Sequence, residues 1–115
     1  MSALRVLLVE DEMLIAMDIE DMLVELGFDV VGPAPRLHTA LKLAREAPID
    51  LAVLDVNLAG ERSFPVADVL RARGIPFLFA TGYGPAGLTG DYASEITLQK
   101  PLEQRLLSNA LATLR

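Results

Sequence analysis

Four stretches of this chain place polar residues where apolar runs end. "VLLVEDE" runs into Glu10, Asp11 and Glu12, and "LAVLDVNLAGE" carries Asp55 to the end of an apolar run. "FLFATGY" closes on Thr81, and "LQKPL" holds Lys100 and Pro101. A carboxylate is rarely buried without a partner. Carboxylates brought together repel, and one protonates unless a cation intervenes. Hard oxygen ligands suit Mg²⁺, which takes one or two carboxylates and completes its octahedron with water and phosphate oxygens. A lysine ammonium suits contact with a phosphoryl group, and a threonine hydroxyl can donate to a phosphoryl oxygen. Carboxylate nucleophile, divalent metal, lysine and hydroxyl donor together can hold a phosphoryl group in line with an attacking aspartate. Asp55 is therefore expected to be phosphorylated.

That chemistry requires elements that bring the four stretches to one place. Apolar runs rich in β-branched residues recur at 4–9, 28–32, 50–56, 75–80 and 95–99 and predict five strands. Between most of them lie stripes of helical period. Ile15, Ile19, Met22, Leu23 and Leu26 form one before Gly27; Leu37, Ala40, Leu41 and Ala44 form another before Pro48. Phe64, Ala67 and Leu70 form a third before Gly74, and Leu102, Leu106, Leu107, Ala110, Leu111 and Leu114 a fourth. The crossover 82–94 holds Gly82, Gly84, Pro85, Gly87 and Gly90, so a helix there is expected to be short or irregular. Alternating strands and helices predict a parallel sheet, whose ligands bind outside the carboxyl ends of the strands. The polar residues above all fall on that rim.

Composition sets the outer bounds. A chain of 115 residues, about half of it apolar, suits one domain with one core. There are no cysteines, which excludes disulfides and thiol chemistry. Sixteen acidic against ten basic residues give a net charge of −6, which argues against nucleic-acid binding by charge. Acids and glycines interrupt every long apolar stretch, and the N-terminus lacks the pattern of a secretory signal. A cytoplasmic protein without membrane or nucleic-acid partners is expected.

In this order and spacing the four motifs resemble the response-regulator receiver domain of two-component signalling, over essentially all of residues 1–115. The resemblance implies a CheY-like α/β fold, a doubly wound five-stranded parallel sheet in order 2-1-3-4-5 with five flanking helices. It implies that Glu10 and Asp11 organise Mg²⁺, that Asp55 is the phospho-acceptor and that Asn57 offers its backbone carbonyl to the metal. Thr81 matches the switch hydroxyl and Lys100 the invariant lysine, with Lys100–Pro101 a candidate cis peptide. The implied phosphodonor is a sensor histidine kinase or a histidine phosphotransfer protein. The only catalysis implied is self-catalysed transfer to Asp55 and hydrolysis of the acyl phosphate. Because the chain stops after the last expected helix, output is expected through protein–protein contact, homodimerisation included, or phosphate shuttling.

Three features depart from the common pattern. Thr97 stands where receivers usually carry an aromatic switch. Ala59 replaces the usual proline of the acceptor loop, a minor change. "PFLFATGYG" looks like the stand-alone receivers known by the phrase FAT GUY, and Tyr83 is expected to take over part of the missing aromatic's role. Two rival functions fit parts of the pattern: an interaction module that never uses phosphorylation, and a small Mg²⁺-dependent aspartyl phosphatase. Retention of Asp11, Asp55, Thr81 and Lys100 weighs against the first. Against the second, Asn57 stands where such enzymes want a second acid. Residues 82–87 also match G-x-G-x-x-G, but Pro85 opposes the helix that motif must open, and Lys100 replaces the acid that would bind ribose. His38, the one histidine, is expected to lie exposed at the start of the second helix.

Overall fold

The structure, a computed structural model, describes residues 3–82, 92 and 95–114. In chain order the elements are β1 (Arg5–Val9), α1 (Met13–Glu25), β2 (Asp29–Ala34), α2 (Leu37–Glu46) and β3 (Leu51–Asp55). There follow β4 (Asn57–Leu58), β5 (Glu61–Arg62), α3 (Phe64–Ala72), β6 (Phe77–Thr81), β7 (Thr97–Gln99) and α4 (Gln104–Leu114). The main sheet runs β2-β1-β3-β6-β7, every pair parallel. This is the expected 2-1-3-4-5 order once the short β4–β5 ribbon is set aside. Four α-helices flank the sheet among the described residues. Most of the fourth crossover, with Tyr83 and the glycine motif, lies outside them.

Strand periodicity divides the core into two layers. Leu7, Val9, Ala52, Leu54, Phe77 and Phe79 face α2 and α3, whereas Val6, Leu8, Leu51, Val53, Leu78 and Ala80 face α1 and α4. β3 and β6 are buried along their whole length, which explains why they read as unbroken apolar runs. His38 is exposed on the first turn of α2, as expected.

Two contacts fasten α3 to its neighbours. Arg73 donates from Nη1 to the carbonyls of Ala44 and Ala47, at 2.6 and 3.0 Å, satisfying acceptors at the end of α2. Tyr92 is buried, stacked on Phe64 at 4.8 Å and edge-on to Phe79 at 5.9 Å. The Arg71 guanidinium covers its ring at 4.3 Å and pairs with Glu95 at 2.7 Å. The chain is thereby pinned against α3 just before β7. Among the described residues no helix is long and apolar enough to cross a membrane.

Candidate functional site

The same alternation that sorts the core assembles the site. Val6 and Leu8 face α1 and α4, so Glu10 follows on that side; Leu51 and Val53 do the same for Asp55, and Ile96 and Leu98 for Lys100. Register then sets their height. Val9 is level with Leu54 and Asp55 with Ala80, while Thr81 pairs with Gln99. The Lys100 N–H continues that ladder by donating to the Thr81 carbonyl at 2.9 Å. Three strand ends thus deliver Glu10, Asp55 and Lys100 to one point, with Thr81 beside them.

Lys100 bridges the two carboxylates, its Nζ lying 2.5 Å from Glu10 Oε1 and 3.1 Å from Asp55 Oδ2. Glu10, Asp55 and Thr81 are 2, 7 and 2% exposed, so these charges are held largely out of water. The Asn57 N–H donates to Asp55 Oδ1 at 3.3 Å, and the Glu12 N–H to Glu10 Oε2 at 3.2 Å. Asp11 projects the other way from Glu10, toward the mouth, where its Oδ2 accepts the Ala59 N–H at 3.0 Å. The Lys100–Pro101 peptide is cis, as expected, and so is Gly32–Pro33.

A cleft of about 890 Å³ opens over this cluster, lined by Asp11, Asp55, Asn57, Thr81 and Lys100 among others. Glu10 lies beneath Lys100 and does not line it. Part of the wall is not among the residues expected from sequence. Ile15 and Asp18, three apart on α1, share the face turned to the cleft, and helical spacing from Asp11 could have found them. Gly60 and Arg62 line it from the β4–β5 ribbon. Thr97 is elsewhere: level with Phe79, it is half-buried and its hydroxyl donates to the Glu95 carbonyl at 3.2 Å. Tyr83 is outside the described residues.

The electrostatics favour a cation. Burial, and next the negative charge of Glu10, push the Asp55 carboxyl up to about 7, against the pull of Lys100. Burial works to lower Lys100, but its hydrogen bond to Glu10 and the charges of Asp55 and Glu10 raise it overall. Burial also works to raise Asp11, yet its hydrogen bonds, that from Ala59 foremost, hold it below the ordinary value. Oxygens of Glu10, Asp11 and Asp55 lie within 4.8 Å of one another. Three carboxylates face one lysine, and hard oxygen donors with excess negative charge in an open cleft fit a small divalent cation.

The family model for the response regulator receiver domain matches residues 6–112. The chain belongs to the response-regulator receiver family. The solution structure of SdrG from Sphingomonas melonis Fr1 superposes on this receiver domain with a TM-score of 0.88 at 44% identity, covering 99% of this chain and 98% of that one. SdrG in its BeF3-activated conformation superposes at 0.82. Among curated proteins, the phyllosphere-induced regulator PhyR of Methylorubrum extorquens is 38% identical over 92 residues. The transcriptional regulatory protein PdtaR of Mycobacterium tuberculosis is 34% identical over 85. The receiver domain matches 34% of PhyR's length and 42% of PdtaR's, so it spans less than half of either. The likeness to PhyR and SdrG fits the subgroup expected from "PFLFATGYG".

Proposed function

We propose that Asp55 accepts a phosphoryl group from a phosphohistidine on a sensor kinase or histidine phosphotransfer protein and later loses it to water by self-catalysed hydrolysis. The observation that carries this is the Lys100 ammonium, held between Glu10 and Asp55 beneath a cleft that Asp11, Asn57 and Thr81 also line. Asp11, Asp55 and the Asn57 carbonyl, with Glu10 behind them, would hold Mg²⁺, which when bound neutralises charge on the phosphoryl oxygens. An Asp55 oxygen attacks phosphorus as the bond to the histidine nitrogen breaks, and an acyl phosphate results. Glu10 anchors Lys100 so that its ammonium stands where phosphoryl oxygens arrive. The Thr81 hydroxyl, in the cleft wall, would donate to one of them, and drawing it inward is how phosphoryl charge would be passed on to the rest of the domain. Met13, Leu14 and Met17, exposed on the first turns of α1, give a docking protein an apolar rim to rest on. SdrG's BeF3-activated form supports phosphorylation as the trigger, and the PhyR of Bartonella quintana, an anti-anti-sigma factor, supports output by protein contact.

The test is intact mass after incubation with acetyl phosphate and Mg²⁺. One added phosphoryl group on wild type, none on Asp55→Asn, and its loss on standing are expected. No adduct on wild type would favour a phosphorylation-independent interaction module. Repeated turnover of general phosphomonoesters would favour a phosphatase.

A further inference from the structure

The acceptor loop after Asp55 is a closed ribbon. β4 and β5 pair antiparallel, Asn57 with Arg62 and Leu58 with Glu61, around Ala59 and Gly60. Ala59 has φ 51° and Gly60 φ 91°. Positive φ at both central residues is the signature of the two-residue turn whose twist suits a hairpin. A proline here could not make it, because its ring holds φ near −65° and it has no N–H. The N–H that alanine does have is used: it donates to Asp11 Oδ2 at 3.0 Å, joining residues 48 apart in the chain. Replacing proline by Ala59 is therefore more than the minor change expected from sequence. It permits the hairpin and supplies the donor that ties its tip to Asp11 across the mouth of the cleft.

We infer that the Ala59 amide is a positioning group for the cation site, fixing the Asp11 carboxylate so that its second oxygen faces the ion. The inference rests on Asp11 being a ligand of Mg²⁺, as proposed above. Asp11 is only partly buried, and among the hydrogen bonds that favour its carboxylate the one from the Ala59 N–H is foremost. A carboxylate has two oxygens, so one held by the amide leaves the other for the metal. Outer partners of this kind orient ligands, and losing one typically costs about 10–100-fold in metal affinity.

The test is a Mg²⁺ titration of the whole chain followed by amide chemical shifts, comparing wild type with Ala59→Pro and Ala59→Gly. Proline removes both donor and turn, and Mg²⁺ affinity is expected to fall at least about tenfold. Glycine keeps the donor and relaxes the positive φ, and wild-type affinity is expected. Should Ala59→Pro fail to fold, hydrogen exchange decides the matter in Mg²⁺-free protein. The Ala59 amide is expected to be protected in wild type and to exchange at least about tenfold faster in Asp11→Ala, while core amides of β3 keep their protection. Equal Mg²⁺ affinity in wild type and Ala59→Pro, or Ala59 exchange unmoved by Asp11→Ala, overturns the amide's role and leaves the cofactor assignment standing. A wild-type protein whose shifts do not respond to Mg²⁺ overturns that assignment and this inference with it.

Discussion

Replacing Asp55 by asparagine is expected to make the Mg²⁺-free protein more stable, although it removes a partner of the half-buried Lys100. The cause is the raised carboxyl. Burial and the Glu10 charge push Asp55 from 3.8 to about 7. A folded state that holds the proton more tightly than the unfolded chain is favoured at low pH. Its advantage drains away between about pH 4 and pH 7, then levels off. Each pKa unit is worth about 1.4 kcal/mol, so above pH 7 an ionised Asp55 costs the fold about 4 kcal/mol. Asparagine cannot ionise, and Lys100 keeps its contact with Glu10. Asp55→Asn should therefore gain about 4 kcal/mol at pH 8 and less than half as much at pH 5. Urea unfolding in EDTA, followed by circular dichroism because the chain has no tryptophan, measures both. Saturating Mg²⁺ should narrow the gap by stabilising wild type alone. A variant less stable than wild type at pH 8, or one whose gain is the same at both pH values, would refute the reasoning.

Three further substitutions probe the frame of the site. Lys100→Met leaves Glu10 and Asp55 buried without a counter-charge and should cost about 3–5 kcal/mol at pH 8, less at pH 5 where Asp55 is protonated; urea titration at the two pH values checks it. Arg73→Ala removes both bonds to the end of α2 and should cost about 1–2 kcal/mol by the same measurement, with faster amide exchange in the last turn of α2. Gly32→Ala puts a Cβ 2.8 Å from the Ala34 nitrogen and 2.9 Å from the Leu8 carbonyl at φ 101°, so a loss of about 2 kcal/mol or more is expected in thermal unfolding.

Much of this was legible because period and position carried the same message. The strands read as apolar runs because both faces are covered, and Asp55, Thr81 and Lys100 were visible because each interrupts or ends such a run. What separates Glu10 from Asp11 is less visible. As neighbours at a strand end they point opposite ways, one under Lys100 and one to the cleft mouth, and composition treats them alike. The β4–β5 ribbon was hidden for a different reason. Two residues per strand are too few to show alternation, and Ala59-Gly60 is a weaker turn signal than Asn-Gly. Tyr92 likewise stood outside every periodic stripe. Its burial depends on Phe64, Phe79 and Arg71, which tertiary packing alone brings together.

Chemical trapping of the phosphorylated residue bears most directly on the whole scheme. The chain is treated with acetyl phosphate and Mg²⁺, reduced with borohydride, which converts an aspartyl phosphate to homoserine, and mapped by peptide mass spectrometry. Homoserine at position 55 alone, absent when Lys100 or Asp11 is replaced by alanine, is the expected result. Homoserine at another acid, or none in a protein that still binds Mg²⁺, would contradict it.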